Sequence, residues 1–365
     1  MRIALVIYGS LDTVSGGYLY DRKLVSHLRA RGDAVEVISL PWRNYARHLL
    51  DNASTALTER LRAGRYDVLL QDELNHPSLL TVNRAWSGRI QSRRSPIVSI
   101  VHHLRASETH PAWTMPIYRR VERAYLRSCD AFVFNSETTR DSVAALAGRA
   151  TPHVIAYPAG DRFSAPPAAE RIVDGVLRLI FVGNVSARKG LHTLFDALAQ
   201  VRCAWTLDVV GSESVEPAYA ARMRARAQTL GLMDKLRWHG RLDDAQLAGM
   251  YAAADALVAP SQYEGFGIVY LEAMGFGVPV IASSAGAARE TVTDGVDGFL
   301  VPPEEAEVLA AAIERLAVAA RLTAMRVAAR ERFARHPGWE AACAQIRAFL
   351  LTLTLSAAPP AQSRG

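Results

Sequence analysis

Several features that mark other protein classes are scarce or missing in this sequence of 365 residues. It has three cysteines, Cys129, Cys203 and Cys343, which are widely separated and in no metal-site spacing, so a reducing environment is expected. No apolar run approaches the roughly 18 residues of a membrane span. The first apolar run, residues 2–8, is too short for a signal peptide and predicts a strand. We therefore expect a cytoplasmic protein that is soluble or peripheral at the inner membrane face.

Motifs for several kinds of chemistry are also missing. The glycine-bearing loop at residues 9–17 is not G-x-G-x-x-G and has no Walker pattern, which disfavours a nicotinamide-cofactor domain. Neither the paired carboxylates of glycosidases nor a Ser-His-Asp motif is found, and an acid-rich divalent-cation motif is absent. No nucleic-acid motif accompanies the arginines. We expect no cofactor, no metal ion and no nucleic-acid partner.

Length and charge suggest two dissimilar halves. Half of the residues are apolar, and the length fits two domains that each bury a core. Residues 1–165 carry 22 basic against 15 acidic residues, a net of +7, whereas the remainder carries a net of −1. A basic face could meet an anionic acceptor or membrane surface. It could equally be an arginine-rich surface without a partner.

The first half alternates between short apolar runs and helical patterns. This order predicts βαβ units and a parallel sheet, with ligands at the carboxyl ends of the strands. A helix is expected from Tyr18 to Arg31. A proline-rich break at residues 163–170 predicts a linker, after which residues 176–183 begin a second sheet. The predicted strands of the first sheet are residues 2–8, 34–40, 67–71, 97–101, 131–135 and 153–157.

Residues 263–277 carry the densest set of binding features. Glu264 and Glu272 lie eight positions apart around Gly265 and Gly267, directly after a strand-like run. Helical spacing predicts a helix over residues 267–274, whose first N–H groups would lie between the two glutamates. Such a helix start suits a diphosphate, and the carboxylates suit hydroxyl groups. Alternatively, Glu264 only stabilises the helix start and Glu272 is simply solvated.

Two further stretches follow predicted strands. Arg188 and Lys189 lie between a strand and a helix and can neutralise a pyrophosphate, with Gly190 permitting close approach. His102 and His103 follow the strand at 97–101, and strand alternation lets only one of them point inward. A histidine there can donate to a sugar hydroxyl, although a structural role is the alternative.

Glu264 to Glu272 resembles the E-x7-E signature of retaining glycosyltransferases of the family 4 type, which have the GT-B architecture. Residues 183–190 resemble the same family's basic turn. The resemblance implies that Glu264 contacts the donor sugar, Glu272 the ribose and the basic pair the diphosphate, and that the strand ends near Gly240 hold the base. The implied catalytic residues are His102, Arg188, Lys189 and Glu264. The implied donor-binding residues are Gly16, Gly17, Gly183, Arg188, Lys189, Gly240, Arg241, Glu264, Gly265, Phe266, Gly267, Ile268, Val269 and Glu272.

The resemblance implies an α/β fold with two doubly wound, Rossmann-like domains facing across a cleft. We expect an acceptor-side domain at residues 1–165 and a donor-binding domain at residues 166–338. The helix at about 339–356 is expected to pack back on the first domain, and residues 357–365 to form a frayed tail.

The expected reaction moves a sugar from a UDP- or GDP-linked donor to a hydroxyl of a small-molecule, glycan or lipid-linked acceptor. Without an evident nucleophile or metal motif, we expect front-face substitution with retention of configuration. A sugar-nucleotide epimerase on the same fold and a non-catalytic nucleotide-sugar sensor are the alternatives. The basic stretch at residues 111–127 either contacts an anionic membrane or is a solvated helix beside the acceptor.

Overall fold

The computed structural model describes residues 1–87, 95–108, 110–163 and 175–356. The chain divides into two compact units, one formed by Met1–Pro158 with the segment from Trp339 onward, the other by Ala159–Gly338. The predicted boundary after residue 165 is therefore misplaced, because residues 159–163 belong to the second unit. Gly160 explains the difference, since it packs against the backbone of Leu271 and Glu272. The predicted tail lies outside the described residues.

The first unit is built on a six-stranded sheet in which every described pairing is parallel. Its strands are β1 (Arg2–Tyr8), β2 (Ala34–Leu40), β3 (Val68–Asp72), β4 (Ile97–Val101), β5 (Ala131–Phe134) and β6 (His153–Ile155), in the order β2-β1-β3-β4-β5-β6. Its helices up to Pro158 are α1 (Gly16–Ala30), α2 (Tyr45–Leu50), α3 (Ala56–Gly64), α4 (Leu80–Ser87), α5 (Met115–Leu126) and α6 (Glu137–Ala147). Strands β1, β3 and β4 are almost entirely buried, as expected for a parallel sheet covered on both faces.

The second unit repeats this architecture. Its strands are β7 (Val176–Val182), β8 (Ala204–Val210), β9 (Leu236–Gly240), β10 (Ala256–Ala259), β11 (Val280–Ser283) and β12 (Gly298–Val301), in the order β12-β11-β10-β7-β8-β9. Its helices are α7 (Leu191–Leu198), α8 (Pro217–Thr229), α9 (Asp244–Ala253), α10 (Ile268–Gly275), α11 (Ala288–Thr291), α12 (Ala306–Leu316) and α13 (Ala319–Arg335). The predicted α/β class with two doubly wound sheets is thus confirmed.

Helix α14 (Trp339–Ser356) returns to the first unit and packs along α1. Its buried residues include Trp339, Ile346 and Leu350. Arg347 donates to the buried Asp33, with Nε 2.7 Å from Oδ2. Within the described ranges, no helix has the length and apolar character needed to cross a membrane.

Each sheet reverses its strand order at one point. In the second unit the reversal lies between β7 and β10, which pair directly, so the loops after these two strands emerge side by side. In the first unit it lies between β1 and β3. Open α/β sheets bind ligands in the crevice at the carboxyl ends of such strands. These two edges are where the candidate residues are found.

Candidate active site

The basic turn after β7 packs directly on the loop after β10. Residues Ala187–Lys189 form a single 3-10 turn that ends at Gly190, whose φ is +72°. A Cβ on Gly190 would lie 2.0 Å from the carbonyl oxygen of Pro260, so only glycine allows this approach. The Arg188 guanidinium donates to the Tyr263 carbonyl at 3.0 Å. The two loops are therefore held together by backbone contact as well as by side chains.

Lys189 and Glu264 form a direct ion pair. The Lys189 ammonium lies 2.6 Å from Glu264 Oε2, which also accepts from the Ser261 hydroxyl at 3.3 Å. Both side chains are largely buried, at 18% and 14% exposure. Burial lowers the pKa of Lys189, and the Glu264 carboxylate opposes that shift. Gly183 lies beside the Lys189 stem, because a Cβ there would be 3.6 Å from it.

The helix that follows Glu264 begins almost where the sequence predicted. Helix α10 starts at Ile268, and Gly267 precedes it with φ +90° and ψ 60°. A Cβ on Gly267 would lie 2.3 Å from the Tyr270 ring. The N–H groups of the first turn of a helix have no partners within that helix. Residues 265–269 therefore form a tight, glycine-dependent helix start beside the Lys189–Glu264 pair, with Phe266 buried.

Glu272 lies in the second turn of α10 and is 2% exposed. The interpretation of a simply solvated Glu272 is therefore wrong. Its carboxylate accepts from the Tyr251 hydroxyl at 3.1 Å and from Arg162 at 3.4 Å. Burial raises the pKa of Glu272, while Arg162 and Tyr251 act in the opposite direction. Arg162 was missed at the sequence level because it belongs to no motif and directly precedes the stretch predicted as a linker.

The remaining donor-side candidates lie at the end of β9. Gly240 is the last residue of that strand, with φ +65°, and its carbonyl accepts from the Gly211 N–H at 2.8 Å. These contacts place Gly240 and the end of β8 at one edge of the sheet. The Arg241 side chain that follows is exposed.

In the first unit, the structure differs from prediction at the start of α1. Gly16 and Gly17 are the first residues of the helix and not part of the preceding loop. Ser15 caps the helix, its hydroxyl accepting from the Tyr18 N–H at 3.3 Å. A polar cap outweighs the low helix propensity of two glycines. A Cβ on Gly17 would lie 3.0 Å from the His102 ring, so Gly17 and His102 are neighbours.

Of the two adjacent histidines, His102 points toward α1. Its ring packs edge-on against Tyr20, and Nε2 lies 3.6 Å from the Asp21 carboxylate. His103 turns to Glu108 instead, at 2.9 Å. Asp21 is fully buried, and neither of its carboxylate oxygens has a hydrogen-bond partner among the described residues.

Buried acidic groups surround His102. Burial and the Asp21 carboxylate raise the pKa of Asp72 to about 7, and burial raises that of Glu73 to about 8. The pKa of His102 is also raised: burial alone would lower it, and Asp21, Asp72 and Glu73 together outweigh burial. This arrangement favours the imidazolium form of His102 more than an ordinary histidine environment does.

Among the described residues, two largely buried trios could offer ligand atoms to a metal ion. Asp21, Asp72 and His102 form one, and Glu73, His76 and Glu122 form the other, each with its candidate atoms within 4.8 Å of one another. In the second trio the Glu122 oxygens already accept from the backbone N–H groups of residues 105 and 106. Sequence spacing could not reveal either trio, because each trio includes at least one residue from a distant segment. The absence of a metal stays a prediction.

Comparison with known protein families identifies the family of this chain. Residues 166–331 match the family described as glycosyl transferases group 1, and residues 19–160 match glycosyltransferase family 4. The chain belongs to the family 4 glycosyltransferases. The sequence-based expectation of this family is confirmed.

Curated relatives of this family 4 chain carry glycosyltransferase names. A phosphatidyl-myo-inositol mannosyltransferase of Mycobacterium leprae is 29% identical, over 98% of both chains. A D-inositol 3-phosphate glycosyltransferase of Xylanimonas cellulosilytica is 31% identical over 62% of this chain, which spans only 57% of that relative. The expectation that the chain is a glycosyltransferase is confirmed, and these names support a transferase of EC class 2.4.

Solved structures show that this family 4 chain has the GT-B fold. A sucrose-phosphate synthase from Thermosynechococcus elongatus has a TM-score of 0.83 at 25% identity, covering 97% of this chain and 99% of its own. The Anabaena protein HepE, solved in complex with UDP and glucose, has a TM-score of 0.76 at 21% identity, covering 96% of this chain and all of its own.

Proposed function

We propose that this glycosyltransferase moves a sugar from a UDP- or GDP-linked donor to an acceptor hydroxyl, with retention of configuration and without a metal ion. One observation carries the proposal. The basic turn after β7 and the loop after β10 meet where the strand order of the second sheet reverses, with Lys189 bonded to Glu264 at 2.6 Å. This is the edge of an α/β sheet at which a nucleotide is expected.

Charge supports the assignment of the diphosphate to this edge. Arg188, Lys189 and the positive end of α10 supply positive potential to a leaving diphosphate. In this proposal, Glu264 accepts a hydroxyl of the donor sugar and Glu272 accepts the ribose hydroxyls. Within the first unit, His102 lies beside Gly17, and an imidazolium there can donate to a hydroxyl.

The proposed chemistry is front-face substitution. The bond between the anomeric carbon and the diphosphate oxygen breaks through an oxocarbenium-like state, and the acceptor oxygen forms its bond on the same face. The departing diphosphate takes the acceptor proton. The enzyme's main task is then to stabilise the leaving group through positioned cations and N–H groups. Each such hydrogen-bond donor often raises the rate by ~10²-fold or more.

A panel of UDP- and GDP-linked sugars, offered with hydroxyl acceptors that include inositol phosphates, tests this proposal. We expect turnover with one donor and a product in which the anomeric configuration is kept. Lys189→Ala should lower kcat at saturating donor by about 10²-fold. Lys235→Ala is the matched control, because Lys235 is an exposed lysine of the same unit that lies over the Trp205 ring.

Three results would contradict the proposal. Unchanged turnover in Lys189→Ala would remove the basic turn from the site. An isomerised donor formed without acceptor would indicate an epimerase. Binding without turnover across the panel would indicate a sensor.

We also propose that the protein is cytoplasmic and contacts the inner membrane face through α5 and the residues before it. Trp113 is 76% exposed and Ile117 is 48% exposed, and both lie close in sequence to the exposed Arg119, Arg120 and Arg123. Aromatic and aliphatic side chains beside arginines suit the interface of an anionic bilayer. Binding to anionic vesicles checks this proposal.

A further inference from the structure

Residues 159–163 lie against the helix that carries Glu272. A Cβ on Gly160 would be 2.6 Å from the Leu271 carbonyl carbon and 2.8 Å from the Glu272 amide nitrogen. The first residues of the second unit therefore pack closely against the turn of α10 that contains Glu272. This contact brings the side chain of Arg162 to the Glu272 carboxylate.

Arg162 is held by more than one partner. Its Nη2 and Nε donate to the two carboxylate oxygens of Asp244, at 2.7 and 3.2 Å, and its Nη1 donates to Glu272 at 3.4 Å. The guanidinium also lies over the Phe163 ring, 4.6 Å from its centre. The Arg162 side chain is 20% exposed, so it is a partly buried cation in a defined position.

Arg162 opposes the effect of burial on the pKa of Glu272. The carboxylate is almost fully buried, and among the described residues its partners are Arg162 on one oxygen and the Tyr251 hydroxyl on the other. A buried carboxylate stays ionised only when nearby charges and donors compensate for the lost water. Each carboxylate oxygen has two acceptor positions, so Glu272 can bind these two partners and still accept from a diol.

We propose that Arg162 is a positioning residue that keeps Glu272 an ionised, fixed acceptor for the 2′ and 3′ hydroxyls of the donor nucleotide. The inference rests on the proposed function, in which Glu272 binds the ribose, and adds Arg162 as the residue that holds Glu272 for this purpose. Arg162 acts through Glu272 and does not itself touch the ribose. The preference for ribose over a sugar without these hydroxyls thus depends partly on Arg162, which lies 110 positions from Glu272 in the sequence.

Calorimetric titration tests the inference without an activity assay. UDP and GDP are titrated first, and the tighter one is compared with its 2′,3′-dideoxy form. The wild-type protein should prefer the ribonucleotide by about 10-fold or more, the usual range for hydrogen bonds to a charged group. Arg162→Met should lose most of this preference at pH 7, whereas Arg162→Lys, which keeps the positive charge, should retain it.

The pH dependence separates a charge effect from a packing defect. Without the guanidinium, the effect of burial on the pKa of Glu272 is less opposed, so a larger fraction of the carboxyl is protonated at a given pH and its charge returns as the pH rises. In Arg162→Met the ribose preference should therefore return at higher pH. Arg222→Met, which removes an exposed arginine over the Tyr219 ring on α8, is the control and should leave the preference unchanged.

Each outcome decides between the two proposals. No ribose preference in the wild-type protein would overturn the role of Glu272 itself. A wild-type preference that Arg162→Met keeps at all pH values would overturn only the role of Arg162. Equal loss of binding for both nucleotides, with no recovery at higher pH, would assign Arg162 a structural role instead. Arg162→Gln gives the same comparison if the methionine variant fails to fold.

Discussion

His102 is a side chain whose charge is set by its neighbours. The groups that face it are Asp21 from α1 and Asp72 and Glu73 from the end of β3, and together they raise its pKa despite burial. A raised pKa means that the imidazolium persists to higher pH in the folded protein. Its contribution to stability is complete below the ordinary pKa of about 6.5 and is lost as the pH rises through the raised value.

Asp21→Asn should lower the pKa of His102, because loss of a close opposite charge removes the main support of the imidazolium. NMR titration of the His102 ring measures this shift directly, and the alkaline limb of kcat/KM should move to lower pH with it. Glu108→Gln is the matched control, since it removes the carboxylate that pairs with the adjacent His103. A His102 titration that is identical in the wild type and Asp21→Asn would show that Asp21 does not support its charge.

Sequence analysis found the site residues that lie in short local patterns and missed those that only the fold brings together. Arg188, Lys189, Glu264 and Glu272 could be selected because each lies in a short pattern next to a strand or helix start. Asp21 and Asp72 gave no local signal, since only the fold brings them to His102. The same holds for Arg162, whose partners come from α9 and α10. The direct Lys189–Glu264 bond was not expected either, because the two residues had been assigned to different parts of the donor.

At the scale of elements, the order of strands decides where loops meet. Continuous apolar runs predicted the strands of the first sheet to within two residues, because strands buried on both faces have little polar interruption. The start of α1 was predicted two residues too late, because its first two residues are glycines. The N-cap at Ser15 is what marks the true start. The pairing of β7 with β10 could not be read from the sequence, since 73 residues separate the two strands.

The turn between β7 and α7 gives a prediction at this scale. Gly190→Ala would force a Cβ against the Pro260 carbonyl in a left-handed conformation, and should lower the free energy of unfolding by about 2 kcal/mol or more. Urea unfolding measures the loss, and nucleotide binding should weaken in parallel as the basic turn shifts.

Gly231→Ala is the control for Gly190→Ala. Gly231 has a nearly equal φ of +68°, but a Cβ there meets nothing within 4 Å. Gly231→Ala should lower the free energy of unfolding by about 1 kcal/mol, because only the left-handed backbone conformation opposes an alanine there. Equal costs for the two variants would mean that the turn is not held against the end of β10.

At the scale of the whole molecule, the excess positive charge comes from residues 1–165. We expect binding to vesicles of anionic lipid, weakening as salt is raised from low to physiological strength, because exposed charges are screened over about 8–10 Å. Co-sedimentation measures it. Arg119→Glu combined with Arg120→Glu should abolish binding, and neutral phosphatidylcholine vesicles should not bind the protein.

Arg62→Glu combined with Arg65→Glu is the control for this surface. It makes the same change in net charge on another exposed part of the first unit, at α3. If both double variants lose binding equally, overall charge and not α5 is responsible. If neither loses it, the stretch at residues 111–127 is a solvated helix.

The path of the chain has a consequence for biosynthesis. Residues 159–338 are continuous, so this unit can fold while it emerges from the ribosome. The unit formed by Met1–Pro158 gains α14 only after that whole stretch has been made, and until then the surface of α1 that α14 covers is open to water. Of the two units, the one whose synthesis begins first is thus completed second.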